Sequence, residues 1–131
     1  MARQSFDLTP GQPLTIAEKV VRERARRIAL GFDYDFGDER GVHRIGTTEA
    51  DMRGWDKVTK LSSALIALGQ GSTEITIWPG ATAVAVTALE WQQILVAAGV
   101  FEQPIWQASF TLQAMDPIPD DLTDDSYWEG A

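Results

Sequence analysis

The stretch "FDYDFGDERGVHRIGTTEAD", Phe32–Asp51, decides the fold. Phe32, Tyr34 and Phe36 alternate with Asp33 and Asp35, the two-residue period of a strand with one buried and one wet face. "GDERG" supplies a turn, and Val42, His43, Arg44 and Ile45 return, so the segment reads as a β-hairpin. It ends in "TTEAD", where Thr48 stands three residues before Asp51 and announces a helix.

Asp33, Asp35, Asp38 and Glu39 crowd into seven residues and raise the question of a metal. A calcium loop of the EF-hand type starting at Asp33 needs an oxygen ligand at its fifth position, Gly at its sixth and a bidentate acid at its twelfth. Gly37, Asp38 and Arg44 stand there instead. No metal is expected. Asp33 and Asp35 read as solvated positions whose charge blunts an exposed strand edge.

The Thr-to-acid spacing recurs on either side, as "TIAE" at Thr15–Glu18 and "TALE" at Thr87–Glu90. In a capping box the Thr oxygen takes an orphan backbone N–H and the acid reaches back to the cap, at the positive end of the helix dipole. Three helices are therefore expected. The first runs over 16–30, with Ile16, Val20, Val21 and Ile28 inward and Gly31 as its stop. The second runs over 49–68, with Met52, Trp55, Val58, Leu61, Leu65, Ile66 and Leu68 at spacings of three and four, and Gly69 closing it. Gly54 inside it suggests a tight packing contact. The third starts at Ala88, carries Trp91, Ile94, Leu95 and Ala98 on one stripe, kinks at Pro104 and reaches about residue 114.

Between the second and third helices, "TEITIWPGATAVAV" alternates again and predicts a second hairpin. Pro79 and Gly80 suit the centre of a type II turn, with a wider loop through Ala81 and Thr82 to join the strands. Residues 1–14, with Pro10, Gly11 and Pro13, read as an extended arm. Residues 116–131 hold two prolines and six acids with no base, which predicts a mobile tail in the isolated chain. Its Leu122, Tyr127 and Trp128 would anchor it in an assembly, with its Asp residues facing cations such as those of the first helix. The expected class is α+β: three main helices, the last kinked, two short β-hairpins, an N-terminal arm and an acidic tail around one domain at 15–115.

Composition narrows function. A chain of 131 residues suits one domain. The longest stretch without charge or proline is about a dozen residues, too short to span a bilayer. The first residues, "MARQSFDLTPGQPLT", contain no apolar core of a secretory signal, which leads us to expect cytoplasmic synthesis. No cysteine is present, so disulfides and thiolate chemistry drop out. All eleven Lys and Arg residues lie at or before Lys60, against ten acids there; nine acids and no base follow. A net charge of −8 argues against nucleic acid as a partner, because Glu18 and Glu23 offset the one basic patch of Lys19, Arg22, Arg24, Arg26 and Arg27.

Catalytic readings find little to hold. His43 is the only histidine, and no nucleophile elbow surrounds any serine. "GQGSTE" at Gly69–Glu74 lacks the Lys of a phosphate loop. Asp120, Asp121, Asp124 and Asp125 lie in an acidic, Pro-rich segment where nothing would raise a carboxyl pKa for acid–base work. Of the five tryptophans, Trp55, Trp91 and Trp106 are expected in the core. Trp78 and Trp128 remain as exposed candidates for carbohydrate binding.

The order of these signals resembles a family. An Arg-rich helix ending in "ALGFDYDFG", then "RGVHRIGTTEADM", a central helix, the hairpin "ITIWPGATAVAVTALEW" and a final helix are similar to a small domain of phage tail and tail-fibre proteins. The similarity covers roughly 22–115. It implies a structural or attachment role in the tail of a virion, following synthesis in the host cytoplasm, with no catalytic residue, cofactor or metal to carry over. It also implies other tail or fibre subunits as partners and a homo-oligomer, a trimer first, because fibres are commonly three-fold. Arg22, Arg26, Arg27, Trp78, Asp120, Asp121, Asp124, Asp125, Tyr127 and Trp128 are the expected partner interface. A soluble adaptor or chaperone for fibre assembly, absent from the particle, is the second expectation, and a small hydrolase the third.

Overall fold

The computed structural model describes residues 13–129. The expected arm falls almost wholly outside them. The elements run α1 (Ile16–Ala29), β1 (Phe32–Asp35), β2 (Val42–Ile45), α2 (Glu49–Ala67), β3 (Glu74–Ile77), β4 (Val84–Thr87) and α3 (Ala88–Gln113), then a 3-10 turn at Asp125–Tyr127. The α+β class is as the sequence predicts.

All three capping boxes form. Thr15, Thr48 and Thr87 accept from the backbone N–H of Glu18, Asp51 and Glu90 at 3.0–3.1 Å, and each acid accepts from the cap N–H at 2.7–3.1 Å. Gly31, at φ +71, takes the left-handed step that ends α1. Gly69 closes α2 with the paired bonds of a Schellman motif, Gln70 N–H to the Leu65 carbonyl at 2.8 Å and Gly69 N–H to that of Ile66 at 3.0 Å.

Each hairpin is an antiparallel pair, Phe32 opposite Ile45 and Ile75 opposite Val86. The alternation sets what each hides: Ile75, Ile77, Val84 and Val86 are buried while Thr76 and Ala85 face out. Gly80 does not take a positive φ, so the expected type II turn is not adopted. Residues 78–83 form an open loop instead, with Trp78 64% exposed.

The third helix is the spine. Its 26 residues extend about 39 Å at ~1.5 Å per residue, uninterrupted through Pro104. Two cores lie along it, bridged where the Phe32 ring stacks on Phe101 at 5.5 Å. The first gathers Trp91 and Ile94 with Ile45, both strands of the second hairpin, and the half-buried Phe32, Trp55, Val58 and Leu65. The second gathers Ile105, Ala108 and Leu112 with Val20 of α1 and with Leu122 and Trp128 of the C-terminal segment. Fully burying an aliphatic or aromatic side chain of this kind contributes about 1.5–3 kcal/mol.

Several inward assignments need correction. Met52, Leu61 and Leu68 are 39–71% exposed, and Val21 is 40% exposed. The reason is that polar residues occupy the true stripes. Ser62, fully buried, donates to the Ala88 carbonyl at 2.9 Å and accepts from Gln92 Nε2 at 2.8 Å, which turns neighbouring Leu61 outward. Glu23 similarly sits one turn after Val20, and Val21 is displaced. A side chain at Gly54 would meet nothing within 4 Å, so no tight contact explains that glycine.

The C-terminal segment differs most from expectation. Rather than awaiting an assembly, it folds onto its own chain, with Leu122 and Trp128 only 2% and 3% exposed. The Trp128 indole N–H donates to the Leu122 carbonyl at 2.7 Å. Its composition is that of a disordered tail, but two large apolar side chains and a capped 3-10 turn suffice to seat it.

Candidate functional site

Two charged clusters fasten the elements. Arg40, from the first hairpin's turn, donates to Glu90 through two nitrogens, Nη1 to Oε1 at 3.0 Å and Nη2 to Oε2 at 2.7 Å. It also donates to Asp38 at 2.7 Å and to the Ala85 carbonyl at 3.0 Å, and it lies over the Phe36 ring. Arg40 holds the carboxyls of Asp38 and Glu90 at about 2, well below the ordinary range, and they in turn push the guanidinium up. In the second cluster Glu23 accepts from Arg26 and Arg27 at 2.7 Å, and Arg27 reaches on to Asp125 at 2.7 Å and the Thr123 carbonyl at 2.9 Å. Arg26, then Arg27, lowers the Glu23 carboxyl against the opposing effect of burial. Asp38, Glu90 and Glu23 are held ionised and occupied.

The opening acids also have local partners. Asp35 accepts from Gly37 N–H at 2.8 Å, Asp38 caps Arg40 N–H at 2.9 Å, and Asp33 pairs with Arg44 at 3.1 Å on the surface. Among the described residues no group of three His, Cys, Asp or Glu side chains is arranged to hold a metal ion. His43 Nε2–H donates to the Arg40 carbonyl at 2.8 Å, steadying the same turn.

The residues expected to meet a partner are scattered. Arg22, Arg26 and Asp120 border one cleft of about 560 Å³ between α1 and the C-terminal segment. Arg27 and Asp125 pair as the charge pattern suggests, but within one molecule. Asp121 accepts from the Tyr127 hydroxyl at 2.9 Å, raising that phenol's pKa, and Asp124 caps Ser126 N–H at 2.9 Å. Trp128 is buried beside Arg27, so its ring is spent inside the chain. Trp78 alone among the aromatic candidates is well exposed, and it stands on the other core's hairpin. Trp106, expected inside, is half-buried under the Arg24 guanidinium at 3.9 Å.

Uncovered apolar surface lies mainly on the helices. Ala17, Val21 and Ala25 of α1 floor a groove of about 510 Å³. An adjoining hollow of about 520 Å³ reaches past Ile28 to Met52 and Trp106. There burial raises the carboxyl of Glu102 against the moderating hydrogen bond from Trp106. On α3, Leu89, Val96, Val100 and Phe110 are 53–69% exposed. Sequence reasoning missed that face. Its signal was present: once the stripe through Trp91, Ile94 and Leu95 is assigned inward, the remaining apolar residues still keep helical spacing.

No protein-family model, no curated protein and no solved structure matches this chain. No described helix, moreover, is both long and apolar enough to cross a membrane.

Proposed function

We propose that this chain is a non-enzymatic structural component of a phage tail, joining or anchoring a fibre or baseplate subunit, and that it works as a homo-oligomer. One observation carries the reading. The spine helix α3 is apolar on two faces, and only one of them is covered by its own chain. Several large apolar side chains left uncovered along one helix mark a contact surface, so the second face is built for another protein surface. The resemblance in motif order to tail and tail-fibre domains supplies the setting: assembly in the host cytoplasm and residence in the virion tail. A three-fold arrangement is the first to test, since fibres commonly have that symmetry.

Quantitative mass spectrometry of purified particles tests this reading. Recovery of the chain in fixed proportion to tail proteins is the expected result. Abundance in lysate with absence from particles would overturn it in favour of a soluble assembly factor.

A further inference from the structure

We infer that the uncovered face of α3 is a self-pairing seam, and that its occupant is α3 of a second copy of this chain. The inference rests on the assembly reading above and names the partner. Leu89, Gln93, Val96 and Val100, continued by Gln103, Gln107 and Phe110, follow one another at steps of four and three without a break. All seven are exposed. The alternation is the a/d spacing by which two helices interlock side chains along a shallow left-handed crossing. The core-facing residues Ile94, Leu95, Phe101, Ile105 and Leu112 take none of these positions, so one helix carries two independent stripes.

Charge bears on where a second copy would fit. Two copies of a chain at −8 repel each other over most of their surface. The seam contains no ionisable residue, and the only charges on α3, Glu90 and Glu102, lie off it. A negative chain therefore meets its own copy most cheaply here. Polar members of the seam point the same way. Gln93, Gln103 and Gln107 each present an amide with both donors and acceptors, which an identical amide can satisfy without leaving a buried charge. Gly99 and Ala97 flank the two valines and leave room for close approach of a neighbouring helix; a Cβ on Gly99 would meet nothing within 4 Å.

Sedimentation of the full chain over a dilution series tests the seam. The expected mass at high concentration is a multiple of 14.4 kDa, falling to a single chain in a Val96→Glu/Val100→Glu variant of unchanged circular dichroism. Leu68→Glu, at the exposed C-cap that follows α2, should leave association as it was. A parent that stays monomeric, or a charged variant that associates like the parent, overturns the inference. If the charged variant does not fold, cysteine chemistry decides, because the chain has no cysteine of its own. Gln103→Cys should then form intermolecular disulfides far faster than Lys57→Cys, and equal rates count against the seam. The two readings fail separately: particle composition judges the tail role, whereas the association of the isolated chain judges the seam.

Discussion

Arg40 and Glu90 meet in a two-pronged ion pair at 2.7 and 3.0 Å, and the same carboxylate accepts the Thr87 backbone N–H at 2.8 Å. Glu90 therefore closes the capping box of α3 while clamping the first hairpin's turn to that helix. Charge-assisted bonds of this geometry are the strong ones.

Glu90→Ala should cost about 2 kcal/mol: about 1 for the cap and a similar amount for the lost bonds to a charged group. Thr87→Ala removes only the first share. Urea denaturation of both variants checks this, and equal losses would show that the clamp contributes nothing beyond the cap.

Acid should unfasten the clamp. Glu90 stands at about 2 against an ordinary 4.5, and Asp38 at about 2 against 3.8, each held down by hydrogen bonds from Arg40. Both folded values are depressed, so the contribution is complete above pH 4.5 and is lost as pH falls toward 2. Denaturation midpoints across that window should drop more steeply for the parent than for Arg40→Met. Parallel curves would contradict the assignment.

Trp128→Ala should cost about 3–5 kcal/mol, the range for a buried aromatic cut to Ala, because its ring closes the second core with Val20 and Leu112. Asp125→Asn should cost no more than about 1 kcal/mol, as its carboxylate is 75% exposed. Thermal melts distinguish the two. If Trp128→Ala melts like the parent, the C-terminal segment is not seated as described.

Two glycines should respond oppositely. A Cβ at Gly31 would collide with the Ile45 carbonyl oxygen at a positive φ, so Gly31→Ala should be destabilising by more than about 1 kcal/mol. Gly54→Ala enters open space in a helix interior and should stabilise by up to about 1 kcal/mol. Melting temperatures moving in the same direction would refute the pair.

Much of the fold was legible because it is written in local chemistry. Capping boxes, strand alternation and glycine stops act within a few residues, and each formed where the spacing placed it. The misplacements came from polar residues on buried stripes. Ser62 and Glu23 find partners that a hydropathy pattern cannot see, and they hold the inward places that the pattern assigns to Leu61 and Val21. The C-terminal segment was misjudged for the same reason: its acids dominate the composition, while Leu122 and Trp128 dominate the energetics. The meeting of Arg40 with Glu90, fifty positions apart, had no sequence signal at all. The outer stripe of α3 had one, masked by the inner stripe.

The two cores along α3 differ in how the chain supplies them. Residues from Phe32 to Leu95 build the first, one contiguous stretch that can close as it leaves the ribosome. The second draws on Ile16–Ile28 at one side of that stretch and Phe101–Trp128 at the other. Helix α1 is thus made before that stretch yet has no surface to rest on until residues 101–128 have followed it. Such long-range closure is the slow step in folding, so there is an interval in which nascent chains carry a finished hairpin-side half and a waiting, amphipathic α1. That interval is when a chaperone, or a sister chain's α3, would find the most apolar surface to hold.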